Sequence, residues 1–323
     1  MWLFETKEGI AVFIVCIVVA VALFAFICCL VISHFLYRGH LTRRNKNQWS
    51  RKCSQKEAVQ MQMYEEGLVW GEENAEFKKD VHIVNDGLNL YGEYYDFGFD
   101  RALFFVCGRT EGLRYGYYFV KPYRDLGFNV LLVDARAHGL SDGKFNTIGF
   151  EEHKDLLAWA KFLHEEHGVK RIVFHAICIG SSCALMALTS KDCPEYLQGL
   201  IAEGMYPNFY ESYKYHMAEF LQPEYPVMPF VRMWMKAYTG YDMKFGNIDI
   251  MDKMNKPLLM IHSKEDKYSL PSEAQKLYDK CPCEQKAFVW FEHGKHSKLR
   301  ILDPEYYDNA VREFMTANFP KEN

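Results

Sequence analysis

Val173-Phe174-His175-Ala176-Ile177-Cys178-Ile179-Gly180-Ser181-Ser182 is the stretch on which the fold turns, because an apolar run of strand character passes within it into residues suited to a helix. Small residues stand two positions to either side of Cys178, Ala176 and Gly180, which is the local pattern of a nucleophile elbow with cysteine where serine is usual. An isolated cysteine in an apolar run is otherwise an ordinary core residue. Its meaning therefore depends on the flanking chain.

Upstream, residues 78–84 and 88–94 flank Asn85-Asp86-Gly87, a hairpin signal. Strands are expected over 102–107, 129–133 and 171–175, with helices over 117–126 and 150–167. Downstream the pattern continues as helix 179–188, strand 200–203, strand 257–262, helix 272–280, strand 287–291 and helix 304–319. Short apolar strands alternating with amphipathic helices imply an α/β fold, a mostly parallel sheet covered on both faces and entered through an antiparallel hairpin. An insertion at 206–256 interrupts the alternation and carries Phe209, Tyr213, Tyr215, Phe220, Phe230, Met233, Trp234, Met235 and Tyr238. A helix is expected over 229–238, and these rings and sulfurs either shape a pocket or pack the insertion onto the core.

The N-terminal part belongs to a different physical regime. Residues 10–32 are 23 consecutive apolar residues, about 35 Å as a helix and enough to cross a hydrocarbon core of about 30 Å. Glu5, Lys7 and Glu8 precede this run, whereas Arg38, Arg43, Arg44, Lys46, Arg51, Lys52 and Lys56 follow it without an intervening acid. The positive-inside bias then predicts a single-pass protein of the plasma (inner) membrane, N-terminus outside and the bulk of the chain cytoplasmic. The expected division is 1–37 for the terminal segment and membrane helix, 38–77 for a basic juxtamembrane stalk able to approach anionic headgroups, and 78–323 for the soluble domain. Formal net charge is -4, so the basic run is a membrane feature and nucleic-acid binding is not expected.

Of ten cysteines, Cys16, Cys28 and Cys29 lie in the membrane helix, and the others show no regular disulfide framework and are expected to face a reducing compartment. Cys28, Cys29 and Cys53 are candidates for acylation at the membrane boundary, with ordinary core or surface thiols as the simpler account. Cys281-Pro282-Cys283 lacks a second pair for a metal, and the histidines of His164-Glu165-Glu166-His167 are one residue too close for a zincin. With no dinucleotide fingerprint or Walker loop, no cofactor or metal is expected.

Past the strand 257–262 comes a loop containing Asp266, and past the strand 287–291 comes Gly294-Lys295-His296. Alone, Asp266 reads as a helix cap and His296 as a surface histidine. A parallel sheet gathers its strand-end loops on one edge, however, so Cys178, Asp266 and His296 can converge there. The chain order nucleophile, acid, histidine is that of the α/β-hydrolases. Over roughly 81–319 the sequence resembles that superfamily, in particular membrane-anchored bacterial members of the serine-aminopeptidase-like group. The likeness rests on Cys107-Gly108 after a strand and on Asp134-Ala135-Arg136-Ala137-His138-Gly139-Leu140-Ser141-Asp142-Gly143, with Ala137 where the family has glycine. The elbow and the Asp266 and His296 loops complete it.

The resemblance implies catalysis by Cys178, His296 and Asp266, an oxyanion hole from the backbone N–H groups of Arg109 and Ile179, and a cap formed by 206–256. The implied reaction is hydrolysis of a carboxylic ester or thioester through a covalent acyl intermediate, on a small-molecule or lipid-like acyl substrate. A peptidase of the same fold, a non-catalytic binding or scaffold protein, and a redox sensor using Cys178 and Cys107 are the alternatives. Asp134, Arg136 and His138 are read as structural. An Arg109 side chain facing the pocket would favour substrates bearing a carboxylate or phosphate.

Overall fold

The computed structural model describes residues 6–52, 57–219 and 224–320. Eight strands form one sheet in the order β1-β2-β4-β3-β5-β6-β7-β8. These are β1 (Lys78–Asn85), β2 (Leu88–Tyr95), β3 (Arg101–Val106), β4 (Asn129–Val133), β5 (Arg171–Ile177), β6 (Leu197–Glu203), β7 (Leu258–Ser263) and β8 (Lys286–Phe291). β1 pairs antiparallel with β2 and β2 antiparallel with β4, and the pairings from β4 through β8 are parallel. Asp86 and Gly87 form the two-residue turn between β1 and β2 with φ of 50° and 72°, the positive values that a twist-matched hairpin requires.

The helices in chain order are α1 (Lys7–Leu41), α2 (Ala58–Glu73), α3 (Glu152–His167), α4 (Ile179–Leu188), α5 (Phe209–Glu219), α6 (Val227–Thr239), α7 (Asn247–Ile250), α8 (Pro271–Lys280) and α9 (Pro304–Asn318). Leu156 and Trp159 of α3, Leu185 of α4 and Leu277 of α8 cover one sheet face against Phe104, Phe174 and Met260. Met63 and Trp70 of α2 and Val311 and Phe314 of α9 cover the other, against Phe105, Val173 and Ile261. Strands buried on both faces read as continuous apolar runs, as β3, β4 and β7 do.

The helix expected at 117–126 does not form. Leu113–Tyr118 is a 3-10 turn, and Pro122 cannot donate the backbone hydrogen bond a continuing helix needs. Helix α2 lies within the segment read from sequence as a stalk, and the chain before it also packs on the domain. Arg43 donates to the carbonyls of Ser141 and Gly139. Arg51 pairs with buried Glu93, and Trp49 stacks on His138 at 4.7 Å. Arg38, Arg44, Lys46 and Lys52 remain exposed.

α1 is long and apolar enough to cross a membrane. Its surface is exposed through the apolar run, and it buries Ser33, Tyr37 and Leu41 only at its C-terminal end, where it meets α5 and α6. Glu5, Cys53, Lys56 and Phe220 lie outside the described residues.

Candidate active site

Cys178 joins β5 to α4 with φ 53° and ψ -122°, a left-handed conformation that costs a non-glycine residue about 1–3 kcal/mol and survives only where the surroundings enforce it. The enforcement is visible. Cys178 N donates to Glu203 O at 2.9 Å, Ser181 N to Cys178 O at 3.1 Å, and Ser181 Oγ to Ala176 O at 3.1 Å. A Cβ on Gly180 would stand 2.4 Å from Val106 O and 2.6 Å from Cys107 O, which explains the small residue at that position. Gly180→Ala is expected to destabilise the protein by about 3 kcal/mol or to displace the elbow, since backbone atoms cannot yield as a flexible side chain would. A shift in the thermal unfolding midpoint measures it.

The Asp266 and His296 loops come together beside the elbow. His296 Nδ1 and Asp266 Oδ2 are 2.8 Å apart. Asp266 Oδ1 accepts from Tyr268 N at 2.8 Å and Ser269 N at 3.0 Å, so the carboxylate is fixed from three sides. Burial works against the Asp266 charge, but the His296 charge and hydrogen bond, with His262 behind them, hold its carboxyl below the usual range. Burial likewise opposes the charge on His296, yet the Asp266 carboxylate and the Cys178 sulfur raise the imidazole well above its ordinary value. His296 Nε2 is buried and makes no ordinary hydrogen bond. Cys178 and His296 line one cavity of about 480 Å³.

Arg109 lines the same cavity as Cys178, and Ile179 follows Cys178 as the first residue of α4. Their backbone N–H groups have no hydrogen-bond partner among the described residues. The His138 ring bridges the carbonyl oxygens of Arg136 and Arg109 at 2.9 and 2.7 Å, so the run 134–143 positions the Arg109 loop. Asp134 accepts from Leu113 N and Leu140 N, both at 2.9 Å, and Arg136 grips Asp155 through two bonds of 2.6 and 2.7 Å. Ala137, standing where the resembling family has glycine, sits at φ 65°. The Arg109 side chain lines the cavity, donates to His40 O at 3.0 Å and makes no ion pair among the described residues. Cys107 does not line that cavity. Its thiol points to Gly112 O at 3.6 Å, and burial, with Glu111 and Asp134, pushes it well up.

Several contributors escaped the sequence reading. Gly39 and His40 of α1, then Arg44, Gln48, Trp49, Glu57 and Gln60, wall the cavity, so the helix that is apolar enough for a membrane ends in the site itself. Glu57 pairs with Lys295 and Lys298 and ties the residues flanking His296 to the start of α2. Tyr206 is buried, and burial first, with the Cys178 sulfur second, pushes its hydroxyl well up.

Glu203 is fully buried below the His296 loop. It accepts from Leu299 N at 3.0 Å and Tyr307 OH at 2.9 Å. The His175 ring joins Tyr307 OH through Nε2 at 2.9 Å and Tyr123 OH through Nδ1 at 2.8 Å. An acid ending an apolar strand was the available signal for this network. Burial pushes Glu203 from 4.5 to about 7, against the lowering effect of Leu299 N, Tyr307 and His296. The folded state therefore holds this proton where the unfolded chain has released it. The associated stability is fully present below pH 4.5 and is lost as pH rises through about 7, by about 3 kcal/mol. Glu203→Gln is expected to flatten that dependence when thermal unfolding is followed between about pH 5 and 8; an unchanged slope would place the titration elsewhere.

The sheet order, the elbow and the loops after β7 and β8 define the α/β-hydrolase fold. The fold is shared with a Pyrococcus furiosus esterase at TM-score 0.64 and 23% identity, over 76% of this chain and 93% of that one. An alpha-beta hydrolase from Vibrio vulnificus matches at TM-score 0.57 and 15% identity, over 84% and 98% of the two chains. A serine hydrolase from Cycloclasticus zankles matches at TM-score 0.56 and 14% identity, over 76% and 100%. No family model matches the sequence. Its relative YqkD of Bacillus subtilis (strain 168), an uncharacterized protein, is 31% identical over 214 residues, 65% of this chain and 70% of YqkD. The chain belongs to the YqkD family.

Proposed function

We propose that the protein is a membrane-anchored hydrolase of carboxylic esters or thioesters, akin to the membrane-anchored serine-aminopeptidase-like group, with Cys178 as nucleophile, His296 as general base and acid, and Asp266 as its orienting partner. The observation that carries this reading is the joint placement of a strained Cys178 and an Asp266-bonded His296, whose Nε2 has no ordinary partner, on one cavity. A scaffold has no physical need to maintain that arrangement, and the Cys107 thiol, pushed well up by burial, weakens the redox alternative.

In this mechanism the Cys178 sulfur attacks the acyl carbon, and its proton resides on His296. The carbonyl π pair moves to oxygen, where the N–H groups of Arg109 and Ile179 stabilise it; one such donor is worth about 3–4 kcal/mol. Collapse expels the alcohol or thiol, protonated by His296. His296 then takes a proton from water, which attacks the acyl-cysteine carbonyl; collapse releases the carboxylic acid and returns the sulfur. α1 crosses the inner membrane with its N-terminus outside, α5 to α7 act as the cap, and membrane lipids are partners through α1 and the exposed basic residues near its end. Arg109 favours a lipid-like acyl substrate with an anionic group.

Turnover of a panel of oxygen esters, acyl thioesters and aminoacyl peptides by the detergent-solubilised full chain tests the assignment. Ester or thioester hydrolysis, faster for anionic than for length-matched neutral substrates, is expected. Peptide cleavage alone would favour the peptidase.

A further inference from the structure

Helix α6 runs beside the last turns of α1 in the same direction. Phe230 meets Phe26 edge to face at 5.4 Å, Trp234 Nε1 donates to Leu30 O at 3.2 Å and Ser33 Oγ at 3.1 Å, and Tyr238 stacks on Tyr37 at 5.3 Å. The apolar run of α1 ends at Ile32. Phe26 lies six residues before it, about 9 Å deeper at 1.5 Å per residue, so Phe230 lies at hydrocarbon depth and Trp234 at the boundary, the level at which Trp and Tyr concentrate.

Apart from half-exposed Arg232, which is paired with Asp242, the outward surface of α6 suits that level. Phe230, Trp234 and Tyr238 form the strip against α1, and the neighbouring i, i+4 strip is Pro229, Met233 and Ala237, all exposed. Val227, Met228, Val231 and Met235 on the remaining side are already buried against the domain. Lys236, exposed beyond the apolar strip, is placed for anionic headgroups. The leading end of the helix is short of unpaired donors. Pro226 and Pro229 have no N–H, and Met228 N donates to Glu224 O at 2.9 Å, which lowers the cost of placing a helix end where water is absent.

We propose that α6 is a second membrane-contacting element, whose Pro229-Met233-Ala237 strip enters the cytoplasmic leaflet alongside the end of α1. This rests on α1 spanning the bilayer. It deepens the proposed function, because Gly39 and His40 wall the cavity about 10–12 Å below Ile32, just past a headgroup layer about 5–8 Å thick. The substrate class is then an acyl lipid drawn sideways from that leaflet, rather than a water-soluble ester.

The test uses the full chain in phosphatidylcholine–phosphatidylglycerol vesicles, with an environment-sensitive fluorescent amino acid at Met233, Phe24 or Val84, which are 41%, 70% and 75% exposed. Probes at Phe24 and Met233 are expected to be quenched by doxyl-labelled lipid at least about threefold more than at Val84, and only the Val84 probe efficiently by aqueous iodide. Iodide quenching at Met233 equal to that at Val84 overturns the proposal. Protection at Met233 from both quenchers also overturns it, in favour of contact with a second protein copy. Absence of lipid quenching at Phe24 would instead remove the anchor on which the proposal rests.

Discussion

Cys178→Ala is expected to lower kcat by about 10⁶-fold, the scale seen when a nucleophile is removed from an intact catalytic unit. Fold and cavity should survive, because the elbow is held by backbone bonds to Glu203 and Ser181 and the change removes a single sulfur from the cavity wall. Residual turnover would come from binding and the oxyanion donors alone. Cys178→Ser keeps an O–H that His296 can deprotonate, so its oxygen-ester turnover should exceed that of the alanine variant. Steady-state kinetics with thermal unfolding separate lost chemistry from lost fold. A Cys178→Ala enzyme of parental rate would place the chemistry elsewhere.

Asp266→Asn is expected to lower kcat by about 10⁴-fold, because asparagine can present an N–H to His296 and fix the wrong tautomer. The effect carries a pH signature. Asp266 raises the His296 imidazole, so removing its charge lowers that value. Protonation of the leaving group needs the imidazolium form, and the alkaline limb of kcat should therefore move to lower pH. A merely structural Asp266 would reduce activity at every pH without moving the limb.

Local signals carried most of the fold. The Asp86-Gly87 turn, the apolar β-strands and the small residues about Cys178 are each dictated within a few residues of chain. The failures were positions where tertiary contact overrides pattern. α2 presents buried Gln60 and Gly67 among its apolar positions, so no continuous stripe announces it; a Cβ at Gly67 would stand 2.9 Å from Tyr118 N. At 117–126 an apolar periodicity coincided with Pro122, and the proline prevailed.

The candidate site divides in the same way. Chain order and strand-end position, read together with the family resemblance, singled out Asp266 and His296, whose side chains meet at 2.8 Å. The contribution of α1 to the cavity was not legible, because an apolar helix followed by basic residues reads identically whether its end hangs free or docks beside Cys178. Glu57 was hidden likewise, since its pairing with Lys295 and Lys298 spans most of the chain.

Intact-mass spectrometry of the detergent-solubilised protein, quenched during turnover of a medium-chain acyl thioester, addresses the central claim most directly. The expected result is one acyl group per chain, mapped to Cys178, absent in Cys178→Ala and slow to clear in His296→Ala. An adduct that persists in Cys178→Ala, or a folded protein giving neither adduct nor turnover across the ester and thioester panel, would contradict it.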